Sequence, residues 1–207
     1  DAHLQWDQAL NRAKFRKFLD SGRFLEIGQI AARIESKTNL LFSFEKMALR
    51  DAVRSPAGAQ VFASSLYDFL HKAAPIETRF ANWIAALDSL PRRQTRVLTW
   101  PLATVFGFIA QPRRHMFLKP MVTRLAAKRC GCRFDYDSRP SGETYGKYLA
   151  LGATVRRALA GAHVGTQGVD RDQQHVASAA AAGRQRRRPA ARKKPRRGGD
   201  SHQRKGR

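Results

Sequence analysis

The longest stretch without a charged side chain, VLTWPLATVFGFIAQP, runs from Val97 to Pro112 and limits what this chain can fold into. It is shorter than the roughly 20 apolar residues that a membrane-spanning helix needs, and it contains Pro101 and Gln111. A short helix that is apolar on every face is typical of the buried centre of a globular domain. The sequence therefore predicts a core helix here and no membrane span.

Outside this stretch, apolar residues recur every three to five positions, which is the spacing of helices that bury one face. The first such pattern covers residues 4–19 and ends at Ser21-Gly22, so it predicts one amphipathic helix. A second helix is predicted over residues 24–34. A third is predicted over residues 40–52, with Thr38 or Asn39 as its N-cap.

Proline and serine mark the starts of the later helices. Ser55 followed by Pro56 is an N-cap followed by a proline in the first turn, where the missing N–H costs nothing. Pro75 and Pro120 predict two further starts, and Ser141 predicts the cap of a last helix. The three tryptophans fall within apolar helical patterns and are interpreted as core anchors rather than base-stacking platforms: Trp6, Trp83 and Trp100.

One stretch, CRFDYDSRP, alternates aromatic and charged residues at Phe134 and Tyr136. Alternation with a period of two indicates an extended segment near residues 133–137, although the sequence shows no partner strand for it. The predicted fold class is therefore all-α. We expect a single multi-helix domain over residues 1–161, with at most this one short extended segment.

The C-terminal part of the sequence changes composition. From Arg171 onward Val176 is the only larger aliphatic residue, and from Arg184 to Arg207 twelve Lys and Arg residues accompany one acidic residue, Asp200. So little apolar surface cannot offset the entropy lost on ordering. Residues 162–207 are predicted to form a disordered, Arg- and Lys-rich tail.

Three interpretations of this tail stay open. It is an arm that neutralises phosphates, a solvated tail of no selected role, or the product of a frameshift. The last follows from composition, because Arg, Ala, Gly and Pro all have GC-rich codons. In that case residues 162–207 are not the native C-terminus.

Cysteine usage predicts neither disulfides nor a metal centre. The two cysteines, Cys130 and Cys132, are separated by one glycine, which makes no disulfide framework, and further ligands at metal-binding spacing are lacking. No positively charged and then apolar segment typical of a secretory signal opens the chain. We expect a cytoplasmic protein without metal or cofactor.

The strongest functional candidate is the segment QPRRHMFLKP, residues 111–120, directly after the apolar run. Its arginines and lysine carry fixed positive charge, His115 is expected to titrate near neutrality, and the apolar residues 116–118 are expected to hold the segment on the core. Three arginines before the apolar run are expected to assist. The candidate phosphate-binding residues are Arg92, Arg93, Arg96, Arg113, Arg114, His115 and Lys119.

Three segments carry a resemblance to a known family: NLLFSFEKMALRDAV, QTRVLTWPLATVFGFIAQPRRHMFLKPMVTRLAA and DYDSRPSGETYGKYLALGATVRRAL. They resemble a family of bacterial proteins of unknown function, over roughly residues 1–160. The resemblance implies no activity and no catalytic residues. Members of that family continue in an ordered C-terminal segment with acidic and aromatic residues, and this chain departs from that pattern.

The leading hypothesis is a protein that binds DNA or RNA through phosphate contacts from the 111–120 segment, consistent with a net charge of +23. One alternative is an enzyme, with a pocket between residues 111–120 and 135–145. Another is a helical assembly protein, with an exposed apolar face on an early helix. A fourth interpretation makes the segment a plain connection whose cations satisfy helix C-terminal carbonyls. The enzyme hypothesis requires one concave site that gathers His115, Lys119, Asp135, Asp137 and Tyr145.

Overall fold

The computed structural model describes residues 1–91 and 98–166, with side chains as far as residue 157. Over these residues it contains nine α-helices and no β-strand, which confirms the all-α prediction. The predicted disordered tail over residues 162–207 lies outside the described residues except for the backbone to Thr166. The helices are α1 (Ala2–Leu10), α2 (Arg12–Asp20), α3 (Phe24–Ser36), α4 (Ser43–Ala52), α5 (Pro56–His71), α6 (Ile76–Ser89), α7 (Trp100–Ala110), α8 (Pro120–Arg129) and α9 (Gly142–Thr166).

The chain divides into two units. The first, Asp1–Ala158, is compact and contains α1 to α8 and most of α9. The second begins at Leu159, and the structure describes only its helical backbone, which ends at Thr166. The last helix thus continues five residues beyond Gly161, where the apolar pattern of the sequence fades.

The core of the first unit lies around α5 and α7. Helix α5 packs against α2, α3, α6 and α7, and α7 is buried along nearly its whole length. This confirms the prediction of a core helix in the longest uncharged stretch. The ring of Phe106 on α7 packs edge-on against Phe62 of α5, with centroids 5.4 Å apart. Each such buried aromatic ring contributes about 1.5–3 kcal/mol relative to an exposed one.

All three tryptophans are buried in this core, as predicted. Trp83 donates from its indole nitrogen to the carbonyl oxygen of Ala103 at 2.9 Å, and Trp100 donates to the carbonyl oxygen of Asp137 at 2.7 Å. The indole N–H groups of Trp83 and Trp100 therefore have partners, as the low polarity of the core requires. None of the described helices has the length and apolar content that crossing a bilayer requires.

Two helix starts differ from the sequence-based prediction. Residues 4–19 form two helices, because Asn11 adopts an extended backbone and accepts from the amide of Lys14 at 3.0 Å, which caps α2. The helix predicted over residues 40–52 is α4, which begins at Ser43, so Thr38 and Asn39 do not cap it. Instead, the carboxylate of Glu45 accepts from the amide of Phe42 at 3.0 Å.

The other predicted starts are confirmed. Ser55 accepts from the amide of Gly58 at 3.1 Å at the start of α5, Pro120 is the first residue of α8, and Ser141 accepts from the amide of Thr144 at 3.2 Å. Near residues 133–137 the described backbone forms no strand; it packs against the core as an irregular segment. A lone strand there has no neighbour with which to form a ladder.

Candidate functional site

A tight turn links the end of α7 to the candidate segment. The backbone carbonyl of Gln111 accepts from the amides of Arg114 and His115, both at 2.9 Å. The side-chain amide of Gln111 donates to the carbonyl oxygen of Leu70, at the end of α5, at 3.1 Å. The turn is therefore fixed to α5, and it places Arg113 and Arg114 in solvent.

His115 points the opposite way, into the core, and only 1% of its surface is exposed. Its Nδ1 lies 2.9 Å from the hydroxyl oxygen of Tyr145, so a neutral imidazole can accept a hydrogen bond from the hydroxyl at this nitrogen. A methyl group added at Gly107 would come within 3.0 Å of the His115 ring, so glycine gives α7 room for it. The imidazole is part of the packed core.

Burial lowers the pKa of His115 to about 4, because the charged form cannot be solvated there, and the positive charges of Arg79 and Arg114 add to the effect. The expectation that His115 titrates near neutrality and contacts phosphate is therefore wrong. A side chain so deeply buried cannot reach a ligand at the surface.

The apolar residues that follow hold the segment on the core, as the sequence predicts. Leu118 is fully buried, and its amide donates to the hydroxyl of Thr104 on α7 at 3.0 Å. The hydroxyl of Tyr148 on α9 donates to the carbonyl oxygen of Phe117 at 2.9 Å. Residues 116–118 are thereby fixed between α7 and α9.

The exposed arginines of the turn face a cleft of about 570 Å³, which we call the cationic cleft. Arg113 and Arg114 contribute two guanidinium groups and Arg12, the first residue of α2, contributes a third. Within the described part of the chain, none of these three is within ion-pair distance of a carboxylate. The cleft is lined by His3, Arg12, His71, Gln111, Pro112, Arg113 and Arg114.

Two carbonyl oxygens at the end of α5, those of Phe69 and Leu70, accept hydrogen bonds from residues other than these arginines. Arg79 donates to the carbonyl oxygens of Phe69 at 2.7 Å and of Ala74 at 3.1 Å, while Gln111 takes that of Leu70. Arg113 and Arg114 do not cap these carbonyls, so the interpretation of the segment as a plain connection does not explain their positions. Their charge is available to an external anion.

His71 forms one wall of the cleft. Desolvation, reinforced by the positive charges of Arg12, Arg79 and Arg114, lowers its pKa to about 4. The imidazole is therefore neutral at physiological pH, and its Nε2 is buried without a hydrogen-bond partner in the described structure. At neutral pH the charge of the cleft thus comes from its arginines.

Lys119, which the sequence also predicted, does not line the cationic cleft. The ammonium of Lys119 lies 4.9 Å from the centre of the Phe42 ring, and Lys119 lines a different cavity. Arg92, Arg93 and Arg96 lie outside the described residues.

Sequence reasoning missed Arg12 and His71. The cap at Asn11 would have located the start of α2 and so the position of Arg12, but nothing in the spacing places either residue beside a turn some 40 or 100 positions later.

The carboxylates proposed for an enzyme site lie apart from the buried pair His115 and Tyr145. Asp135 and Asp137 are exposed, and the carboxylate of Asp137 accepts from the amide of Arg139 at 2.8 Å, which stabilises a local turn. The two segments meet at the buried pair His115 and Tyr145, and the exposed carboxylates of Asp135 and Asp137 are not part of that pair. The described residues contain no group of three or more His, Cys, Asp and Glu that could hold a metal ion.

Comparison with known proteins adds no assignment: no protein-family model, no curated protein and no solved structure matches the chain. The resemblance to a bacterial family of unknown function stays a prediction.

Proposed function

We propose that the protein binds nucleic acid through its phosphate groups, and that the cationic cleft is the contact surface. The observation that carries this proposal is the convergence of Arg12, Arg113 and Arg114, all exposed and none paired with a carboxylate in the described structure. Two of these three residues belong to the segment that the sequence singles out. Lys119 is not a member of this surface.

The chemistry of the cleft suits phosphate. A guanidinium group presents several donors in a planar fork that matches two phosphate oxygens, and its charge is independent of physiological pH. Contacts of this kind release counterions from the nucleic acid whatever its base sequence. The net charge of +23 attracts a polyanion at longer range.

Salt-dependent binding tests this proposal. In a titration with a short DNA duplex monitored by fluorescence anisotropy, we expect the double variant Arg113→Ala/Arg114→Ala to bind about tenfold more weakly at moderate salt. Since each lost phosphate contact lowers the slope of log K against log salt by about one, the slope should become shallower by about two. The comparison is made with the full chain and with a form ending at Thr166, so that a contribution of residues 167–207 is measured separately.

A matched control separates a local site from general charge. Arg50 and Arg54 are also exposed and line a cleft elsewhere on the first unit, so Arg50→Ala/Arg54→Ala removes the same charge. We expect this control to bind nearly as tightly as the parent. Equal weakening in both double variants, or loss of all binding on truncation alone, would contradict the assignment to the cationic cleft.

A second candidate function, self-assembly, is favoured by an exposed apolar face at the start of α4. Phe42 and Met47 are 52% and 58% exposed, Phe44 is similarly exposed, and the rings of Phe42 and Phe44 stack with centroids 5.8 Å apart. We infer that this face can contact a second copy of the chain, because apolar surface of this kind gains from burial.

Sedimentation equilibrium over a range of protein concentrations tests the self-assembly. The expected result is a concentration-dependent increase in mass that Phe44→Asp removes and Leu4→Asp, at an exposed leucine of α1, leaves unchanged. A strictly monomeric parent protein excludes this candidate.

A further inference from the structure

A second cavity of about 520 Å³ lies between α8, α9 and the residues that precede α8. We call it the apolar groove. Its volume falls within the range of roughly 300–1,000 Å³ that is typical of small-molecule sites. Its walls include Leu40, Phe117, Val122, Leu151 and Val155.

The hydroxyl groups in this groove are already engaged. The hydroxyl of Tyr148 donates to the carbonyl oxygen of Phe117 at 2.9 Å and lies 3.4 Å from the hydroxyl of Thr123. Gly152 gives the Met116 side chain room in this wall, because a methyl group there would overlap it. With these hydroxyl groups satisfied and most of the other lining residues aliphatic or aromatic, the groove favours a ligand whose body is apolar.

Two cations border this apolar surface. Lys119 and Arg156 both line the groove, no carboxylate does, and neither cation has an ion-pair partner among the described residues. Lys119 also occupies the N-cap position of α8, where no side chain caps the first-turn amides. Lys119 and the N-terminus of α8 therefore place positive charge at the end of the groove where α8 begins.

Apolar surface continues outside the groove at the same end of α8. Met121 is 76% exposed and Leu125 is also exposed, on either side of the exposed Val122 of the groove wall. Sequence periodicity predicts that Val122 and Leu125 face the core, yet in α8 the buried residues are Thr123 and Ala127. The helix thus turns an apolar side toward solvent next to the groove, which extends the surface available to a long apolar chain.

We propose that the apolar groove binds a free fatty acid, with the hydrocarbon chain against Leu40, Leu151 and Val155 and the carboxylate paired with Lys119. Charge complementarity selects the carboxylate, because the only charges that line the groove are positive. The apolar walls select the chain. This site is independent of the cationic cleft, since the two share no residue.

Isothermal titration calorimetry with dodecanoate, kept below its micelle concentration, tests the proposal, and dodecanol serves as the uncharged probe. We expect saturable binding of one dodecanoate per chain. Ala126→Trp, at an exposed position of the wall, should weaken dodecanoate binding at least tenfold by filling the groove. Lys119→Met should weaken dodecanoate binding about tenfold and leave dodecanol binding unchanged.

Matched controls make the result specific. Arg124→Met removes an exposed charge from the same helix at a position that does not line the groove, so it should bind dodecanoate like the parent. Val155→Trp provides a second filling variant in case Ala126→Trp fails to fold. DNA binding should be unaffected in all these variants, which separates failure of this inference from failure of the nucleic-acid proposal.

Three results would overturn the inference. They are the absence of saturable dodecanoate binding, equal weakening by Lys119→Met and Arg124→Met, and binding to anionic phospholipid vesicles without binding to dodecanoate monomers. The last result would identify the exposed side of α8 as a membrane-surface contact instead.

Discussion

Replacement of Gly58 by alanine is expected to lower the free energy of unfolding by about 2 kcal/mol, although the same change inside a helix usually stabilises it by up to about 1 kcal/mol. Gly58 lies in the first turn of α5, where its Cα faces the end of α4. An added methyl group would overlap the carbonyl oxygen of Ala52 and approach the hydroxyl oxygen of Ser55 to 3.0 Å. A backbone carbonyl cannot rotate away as a side chain can.

Relief of this overlap requires either that α4 and α5 move apart or that α5 shifts off its cap. Overpacking of this kind costs typically 1–3 kcal/mol, and a shift of α5 that loses the Ser55 cap costs about 1 kcal/mol in addition to the strain that remains. Either cost outweighs the usual gain from alanine, so the sign of the effect is reversed.

Urea denaturation followed by circular dichroism measures this difference. Ser64→Ala, at an exposed position of the same helix, is the control and should change the free energy of unfolding by less than about 0.5 kcal/mol. A Gly58→Ala variant that is as stable as the parent would show that the junction between α4 and α5 is more open than the structure has it.

The start of α5 illustrates what the sequence could predict. A serine followed by a proline is a local signal, because the cap and the fixed backbone angle act within one turn, and both are found at Ser55 and Pro56. The need for glycine two residues after the proline has no local signal. It arises from the packing of α4 on α5, which apolar spacing does not encode.

The break between α1 and α2 has a local signal in the sequence, Asn11. Apolar spacing continues through residues 4–19 as if through one helix, but Asn11 has a side chain that competes for backbone amides and favours caps. Both halves still bury aromatic residues of the pattern, with Trp6 in the first and Phe15 in the second, although Leu4 is exposed. The periodicity is therefore a partial guide to burial and a poor guide to continuity.

In the candidate segment, residues 111–120, some features follow from residue type and one does not. The exposure of Arg113 and Arg114 and the anchoring by Leu118 follow from residue type, since charged groups stay in water and leucine is buried. The burial of His115 does not follow, because it depends on Gly107 and on Tyr145, 30 residues along the chain. A histidine between two arginines and an apolar run is equally compatible with either side.

Because His115 stays neutral in the folded chain, the free energy of unfolding is expected to fall by about 3 kcal/mol as the pH decreases from about 7 to about 4. The pKa of His115 is about 4 in the folded chain against 6.5 for an ordinary histidine. Between these values the unfolded chain binds a proton that the folded chain cannot accommodate, so stability is full above pH 6.5 and decreases below it. The cationic neighbours Arg79 and Arg114 oppose protonation, and His71, whose pKa is also lowered, contributes in the same direction.

Urea denaturation at a series of pH values, compared between the parent and His115→Asn, isolates this contribution. Asparagine offers an oxygen near the position of Nδ1 but does not titrate, so the variant should be less stable throughout and should lose clearly less stability between neutral pH and pH 4. Tyr145→Phe is the matched control: it removes the hydrogen bond but keeps His115 buried, so its pH dependence should follow that of the parent. If the parent and His115→Asn curves run parallel, the imidazole accepts a proton in the folded chain, and the burial that excludes it from phosphate binding is incomplete.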